Sequence, residues 1–434
     1  MVIRALYSAL MWLAQPLMRL KLRRRAVTEP GYALQVAERF GHYAQMPAPG
    51  SPWVWVHAVS LGETRTAQVL VGALRQQRPG LRLLLTHGTA TGREEGAKWL
   101  QPGDLQVWQP WDAPGNVQRF LAHFKPCIGI LMETEVWPNM AAQCRAQRIP
   151  LVLANARMSE QSFQKSLALA WLARQAYASL AAVWAQTDAD ARRLTALGAT
   201  VQGVFGNIKF DATPDAGLLA QGRQWRAGRP GKVVLFASSR EGEEAQLLAL
   251  LRRKGQTGGA ATPGVQWLIV PRHPQRFDAV AELIEKQGFS VSRRSHWGEQ
   301  PPGPGGAASP GPDRLWLGDS LGEMALYYGL ADVALLGGSF EPLGGQNLIE
   351  AAACACPVVM GPHTFNFAEA AERAALAQAA QRVDSLDAGI DCALALVSDP
   401  PRQQAMAQSA LQFAHAHQGA TTRLVVAIET LLNR

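Results

Sequence analysis

Carboxylates recur in this sequence directly after short apolar runs, at points where a β-strand would end and a helix begin. Trp53–Val56 leads into His57-Ala58-Val59-Ser60-Leu61-Gly62-Glu63, and Ile128–Leu131 leads into Met132-Glu133-Thr134-Glu135-Val136-Trp137-Pro138-Asn139. Ligands of doubly wound sheets bind outside the carboxyl ends of the strands, so an acid placed there can take a proton from a substrate. Two readings of Glu63 stand side by side: a carboxylate capping a helix N-terminus, or a base facing a cleft. Glu135 has the same choice. Arg157, in Asn155-Ala156-Arg157-Met158-Ser159, suits an anionic ligand, while Ser159 reads as an ordinary N-cap. Lys209, in Gly206-Asn207-Ile208-Lys209-Phe210-Asp211, is either a cation for a departing phosphate or a solvated lysine.

The second half of the chain repeats the arrangement with a different emphasis. Ala237-Ser238-Ser239-Arg240-Glu241-Gly242-Glu243-Glu244 carries hydroxyls and acids suited to a first helical turn. In Val270-Pro271-Arg272-His273-Pro274-Gln275-Arg276-Phe277 the two prolines fix the backbone around Arg272 and His273, which read as anion contacts. Gly337-Gly338-Ser339 and Gly344-Gly345-Gln346-Asn347-Leu348-Ile349-Glu350 permit close backbone approach before a helix, a setting that suits a phosphate. Glu350 is suited to ribose hydroxyls, with helix capping as the competing reading.

These segments need elements to hold them. Strands are expected at 53–59, 81–86, 105–109, 127–132, 150–154, 181–186 and 200–205, separated by helix-period stretches, so the pattern is β-α-β and the sheet mostly parallel. A second series is expected at 232–237, 266–270, 289–292, 314–317, 332–336, 357–360 and 380–383. Between them, 212–231 loses the strand pattern and reads as a linker, and 297–312 reads as an exposed Pro- and Gly-rich loop. A last helical stretch from about 402 to Leu432 is expected to pack back across the first lobe. With 434 residues the chain suits two α/β lobes, and two Rossmann-like lobes facing a central cleft form the architecture called GT-B among glycosyltransferases. The fold alone does not establish a reaction.

Composition narrows the partners. A formal charge of +8 favours an anionic partner, but Lys and Arg are spread along the chain rather than gathered on one element with interleaved aromatics, which argues against nucleic acid. The five cysteines lack C-x-x-C spacing, so neither a disulfide framework nor a zinc site is expected. Charge concentrates only at the N-terminus. Leu6, Leu10, Leu13 and Leu17 recur at helical spacing, Arg4, Ser8, Gln15 and Arg19 share the opposite stripe, and Lys21, Arg23, Arg24 and Arg25 follow. The apolar stretch is too short to span a bilayer and has no small-residue cleavage site, so residues 1–25 are expected to lie in the headgroup region of an anionic leaflet. Packing on the protein's own core is the alternative.

Taken in order along the chain, the segments His57–Glu63, Glu133–Asn139, Asn155–Ser159, Gly206–Asp211, Pro271–Phe277, Gly337–Glu350 and Met360–Phe367 resemble the 3-deoxy-D-manno-octulosonic acid (Kdo) transferases of lipopolysaccharide biosynthesis. The resemblance implies a GT-B fold with an acceptor-binding lobe over 26–211 and a CMP-sugar-binding lobe over 232–434. It implies inverting transfer of Kdo from CMP-Kdo to a phosphorylated lipid A precursor at the cytoplasmic face of a bacterial inner membrane, with no metal and no other cofactor. It assigns Glu63 as general base and Glu133 and Lys209 as stabilisers of the transition state. CMP contacts map onto Pro271, Arg272, Leu321, Gly322, Glu323, Asn347, Leu348, Ile349 and Glu350. The chain departs from the family pattern at Arg240 and Gln346, where histidine is common, and at Leu348, where proline is.

Overall fold

β1 (Trp53–His57) is buried at every position, Trp53 and Trp55 entering one apolar layer and Val54 and Val56 the other. A strand buried on both faces belongs inside a parallel sheet covered by helices. In this computed structural model, which describes residues 2–45, 52–211, 213–256, 264–298 and 314–433, that is where β1 lies. It is joined by β2 (Arg82–His87), β3 (Leu105–Trp108), β4 (Ile128–Met132), β5 (Leu151–Ala156), β6 (Ala182–Ala185) and β7 (Val201–Val204). The seven strands run in the order β3-β2-β1-β4-β5-β6-β7, all pairings parallel. The order reverses between β1 and β4, so the loops after these two strands flank the topological switch point.

The second sheet has the same form. It contains β8 (Lys232–Ser239), β9 (Val265–Pro271), β10 (Ser290–Arg293), β11 (Arg314–Leu317), β12 (Val333–Leu336), β13 (Val358–Met360) and β14 (Ala380–Arg382). Their order is β10-β11-β9-β8-β12-β13-β14, again parallel throughout, with the switch point between β8 and β12. The fold is therefore two α/β lobes with parallel sheets, as the strand pattern predicts. The chain clusters into two units, Met1–Asp211 with Gln418–Arg434, and Ala212–His417.

Three boundaries differ from those read in the sequence. The segment 212–231 is not a plain linker, because Ala216–Ala227 is a helix of the second unit. It crosses the Met324–Leu330 helix so closely that a Cβ on Gly222 would stand 2.2 Å from the Leu326 carbonyl oxygen. The glycine that suggested a loop is the residue that lets two helix backbones touch. The second lobe ends at His417 rather than at 434, and the C-terminal helical stretch is two helices, Pro400–Ala416 and Ala420–Leu432, broken at Gly419 with φ 93°. Leu424 and Ile428 of the latter belong to the same apolar layer as Val54 and Val56. Most of the expected 297–312 loop lies outside the described residues.

The described part of the segment 1–25 lies in the Val2–Leu13 and Gln15–Thr28 helices, and the first of them docks by its polar side. The Tyr7 hydroxyl donates to Asp112, and Ser8 Oγ lies 2.9 Å from Asn139 Oδ1. Leu22 is buried with Tyr32, Ala90 and Trp108. The leucine stripe faces outward instead: Leu6, Leu10, Leu13 and Leu17 are 64–69% exposed, and Trp12 is 67% exposed.

Candidate active site

At the first sheet's carboxyl edge, Ser60 caps the Leu61–Gln77 helix and exchanges contacts with Glu63. Ser60 Oγ accepts the Glu63 N–H at 3.4 Å and donates to Glu63 Oε1 at 3.1 Å, while Glu63 Oε2 accepts the Val59 N–H at 2.9 Å. This is the exchange of a capping box with Glu63 reaching one residue past the cap to Val59, so the two readings of Glu63 are not exclusive. The cap fixes where the carboxylate stands, and its surroundings decide its acidity. Burial raises its pKa to about 7, against the Val59 and Ser60 hydrogen bonds, and the nearby charges of Glu133 and Glu135 push the same way. A carboxylate with that pKa is half ionised near neutrality, as a general base needs to be.

Glu133 follows β4 with a left-handed backbone, φ 60°, and is 9% exposed. Its Oε1 faces the Lys209 ammonium at 3.5 Å. Asn155 sets that approach: its Oδ1 accepts the Ile208 N–H at 3.0 Å and so holds the Ile208–Asp211 turn that carries Lys209. Arg157 donates its backbone N–H to the Glu133 carbonyl at 3.0 Å, and Ser159 caps the Glu160–Ala168 helix. Glu135 does not cap a helix. Its Oε2 accepts the Trp137 indole N–H at 2.9 Å and stands 3.8 Å from Nε2 of the buried His57. Burial pushes the Glu135 carboxyl up, but His57 and the Trp137 indole outweigh it and hold the group below the usual carboxylate range.

Asp112 was not singled out in the sequence. Its two oxygens accept the backbone N–H groups of Asn139 and Met140, each at 2.9 Å, capping the Pro138–Ala146 helix from a distant loop. Burial raises its pKa to about 7 against those bonds. No local pattern marks such a cap, because the acid and the helix meet only in the fold.

The second sheet's carboxyl edge is built differently. Its acids are spent on the backbone: Glu243 accepts the Arg240 and Gly338 N–H groups, both at 2.8 Å, and the Phe340 N–H at 3.3 Å. Gly337 passes so close that a Cβ there would meet the Ser238 carbonyl oxygen at 2.4 Å. Glu244 takes a bidentate pair from Arg276 at 2.8 and 3.0 Å. What faces outward is cationic. Burial lowers the His273 pKa, and the positive charges of Arg240, Arg272 and Arg276 lower it further. Arg272 Nε donates to Gln346 Oε1 at 3.1 Å, joining the end of β9 to the Gly344–Asn347 turn.

The remaining predicted nucleotide contacts lie at the ends of strands in this sheet. Pro271 is the last residue of β9, and the segment Leu321-Gly322-Glu323 follows β11. Leu321 is exposed, whereas Glu323 pairs with Arg294 at 2.8 Å. Asn347 Oδ1 accepts the Ile349 N–H at 3.1 Å as the cap of the short Leu348–Ala353 helix. Leu348 and Ile349 are buried, backbone included, and Glu350 is half-buried. Among the described residues no group of three or more His, Cys, Asp and Glu is arranged to hold a metal ion.

Comparison with known proteins gives this geometry a family. A family model described as "3-Deoxy-D-manno-octulosonic-acid transferase (kdotransferase)" matches residues 35–212. The chain is 45% identical to the 3-deoxy-D-manno-octulosonic acid transferase of Bordetella pertussis over 99% of both chains. The chain belongs to the Kdo transferase family. It is also 31% identical to the Haemophilus influenzae member over 99% of both chains. The crystal structure of a UDP-GlcNAc 2-epimerase from Neisseria meningitidis, 15% identical, covers 88% of this chain and 100% of that one with a TM-score of 0.55, a likeness of fold alone. Family and fold together make the chain a glycosyltransferase of GT-B architecture.

Proposed function

We propose that the chain transfers Kdo from CMP-Kdo to a phosphorylated lipid A precursor of the lipid IVA type, with inversion and without a metal. The carrying observation is Glu63: a carboxylate held by its own capping box at the switch point, with its pKa raised to about 7. The acceptor hydroxyl gives its proton to Glu63 as its oxygen attacks the Kdo anomeric carbon. The bond from that carbon to the phosphate oxygen breaks, and CMP leaves with the bonding pair. Attack opposite the leaving group inverts the centre. Glu133 and Lys209, an ion pair at 3.5 Å, stabilise charge as it develops.

Donor binding by the second lobe is supported by its cationic edge, where Arg240, Arg272 and His273 meet the glycine turn. Arg272 is assigned to CMP, and Pro271, Leu321, Gly322, Glu323, Asn347, Leu348, Ile349 and Glu350 border the same edge. Arg157 is assigned to the acceptor's phosphate. The test is product mass after incubation with CMP-Kdo and lipid IVA: addition of Kdo supports the reading, and transfer from UDP-sugars instead overturns it.

Membrane association through the N-terminus belongs to the same proposal. A helix that turns its polar side to the protein and its leucines to solvent has an apolar face in need of cover, and exposed Lys21, Arg23, Arg24 and Arg25 beside it select an anionic leaflet. No helix among the described residues is long and apolar enough to cross a membrane. Leu6→Gln, Leu10→Gln and Leu13→Gln together should release the protein from sedimenting anionic vesicles without lowering its melting temperature. Unchanged sedimentation would remove the membrane from this reading. These side chains suit the test better than deletion of 1–25, which would strip Tyr7 from Asp112 and Leu22 from its cluster.

A further inference from the structure

Around Glu135 several polar groups lack what their burial demands. His57 is 1% exposed, yet its Nε2 has no hydrogen-bond partner among the described residues. Thr86 Oγ1 accepts the Trp55 indole N–H at 2.8 Å and lies 2.9 Å from His57 Nδ1, which also stands 3.2 Å from the Thr86 carbonyl oxygen. Both contacts fall on Nδ1, so Nε2 is left facing Glu135 Oε2 from 3.8 Å, beyond a good hydrogen bond. A buried polar nitrogen left short of a partner is costly unless something completes the contact. Trp111, whose Nε1 is likewise buried without a partner, lies 6.4 Å from the half-buried Trp137 ring at 60°.

We propose that Glu135 is the carboxylate that grips a hydroxyl of the acceptor's sugar ring beside Glu63, with Trp111 and Trp137 as its apolar walls and His57 as the positioning residue that fixes Glu135 from behind. The proposal rests on the transferase reading and adds to it the place of the sugar. Both protein contacts of Glu135 go to Oε2, and its side chain is 38% exposed, so Oε1 is presented for a ligand hydroxyl to donate to. The charges of Glu133 and Glu135 both reach Glu63, and an acidic setting of this kind repels a phosphate. A neutral, hydroxyl-bearing pyranose fits, because its hydroxyls donate to carboxylates while its C–H face lies on indole rings. Closing onto that ligand brings Glu135 within hydrogen-bond distance of His57 Nε2.

The experiment measures acceptor and donor KM for Glu135→Gln, His57→Leu, His57→Gln and Trp137→Leu, with melting temperatures on the same preparations. Glu135→Gln should raise acceptor KM by roughly tenfold or more while donor KM stays unchanged. His57→Leu should do the same to a lesser extent, and His57→Gln, whose amide N–H can still reach Glu135, should restore much of the loss. If acceptor KM is unchanged in Glu135→Gln, or if donor KM moves instead, the subsite is wrong. An equal loss in His57→Leu and His57→Gln would overturn the positioning role. Co-sedimentation with lipid IVA micelles in the absence of donor reads the subsite separately. A wild type that fails to transfer Kdo but loses micelle binding on Glu135→Gln would sink the transferase reading and leave the subsite standing.

Discussion

The carboxyl edges of the two sheets share one architecture and differ in what their acids do. In the second lobe Glu243 is fully buried and spends its oxygens on three backbone N–H groups, and Glu244 is locked by Arg276. Those acids shape a turn and are chemically silent. In the first lobe the charges of Glu133 and Glu135 both push the Glu63 pKa up, and these acids sit among buried polar atoms that lack partners. The same strand-to-helix junction thus makes a scaffold for cations in one lobe and an acidic cluster around a carboxyl of raised pKa in the other. Counting acids in the sequence does not separate the two. Where each acid's oxygens end up does.

The largest effect should come from Glu63→Gln, which keeps the cap's shape and removes its basicity. Turnover should fall by about 10²- to 10⁴-fold while CMP binding persists, measured by product formation and calorimetry. Near-normal turnover would reduce Glu63 to a cap and make the two edges alike. On the opposite edge, Arg272→Ala should raise donor KM by roughly ten- to a hundredfold, the loss of a hydrogen bond to a charged group, with acceptor KM unchanged. An acceptor effect would break the division of labour.

The pH profile sharpens the contrast further. Glu63 must be ionised to act, so kcat/KM should fall about tenfold per unit as pH drops below about 7. Because Glu135 helps hold the Glu63 pKa up, Glu135→Gln should move that limb to lower pH, by less than burial itself contributes. The linked stability has a definite sign: a raised pKa favours the protonated folded form, so this contribution is full below about 4.5 and is lost as pH rises through about 7. Thermal melts of wild type and Glu63→Gln across that window should diverge in this direction. The smallest effect is expected for Asn347→Ala. Its Oδ1 is already committed to the Ile349 N–H, so the change should cost about 1 kcal/mol of stability, read by denaturant unfolding, and disturb donor KM less than Arg272→Ala does.

Much of this site is visible in the linear sequence because strand ends announce themselves. An apolar run that stops at a cluster of Gly, Ser and Glu marks a carboxyl edge, and so Glu63, Glu133, Arg272 and the Gly337–Glu350 turns can be named before any coordinates. The orientation of the N-terminal stripe cannot. Leu6, Leu10 and Leu13 declare an amphipathic helix, but that Tyr7 and Ser8, rather than the leucines, meet the protein is settled by Asp112 on a remote loop and Asn139 in the Pro138–Ala146 helix.

Local periodicity therefore determined the alternation of strands and helices, since a buried parallel strand and its covering helix each write their own repeat into adjacent residues. Gly222 does not declare its role in the sequence, because a glycine demanded by helix contact looks, in one dimension, like a glycine demanded by a turn. The tertiary structure alone decided which acids are caps, which are ion pairs and which have their acidity shifted. His57 meets Glu135, Asp112 meets Asn139 and Glu243 meets Gly338 only once the order β3-β2-β1-β4 and the placing of β8 beside β12 bring separate strand ends together. An acid's pKa and role depend on burial and neighbouring charge, and both are properties of the assembled edge rather than of the chain.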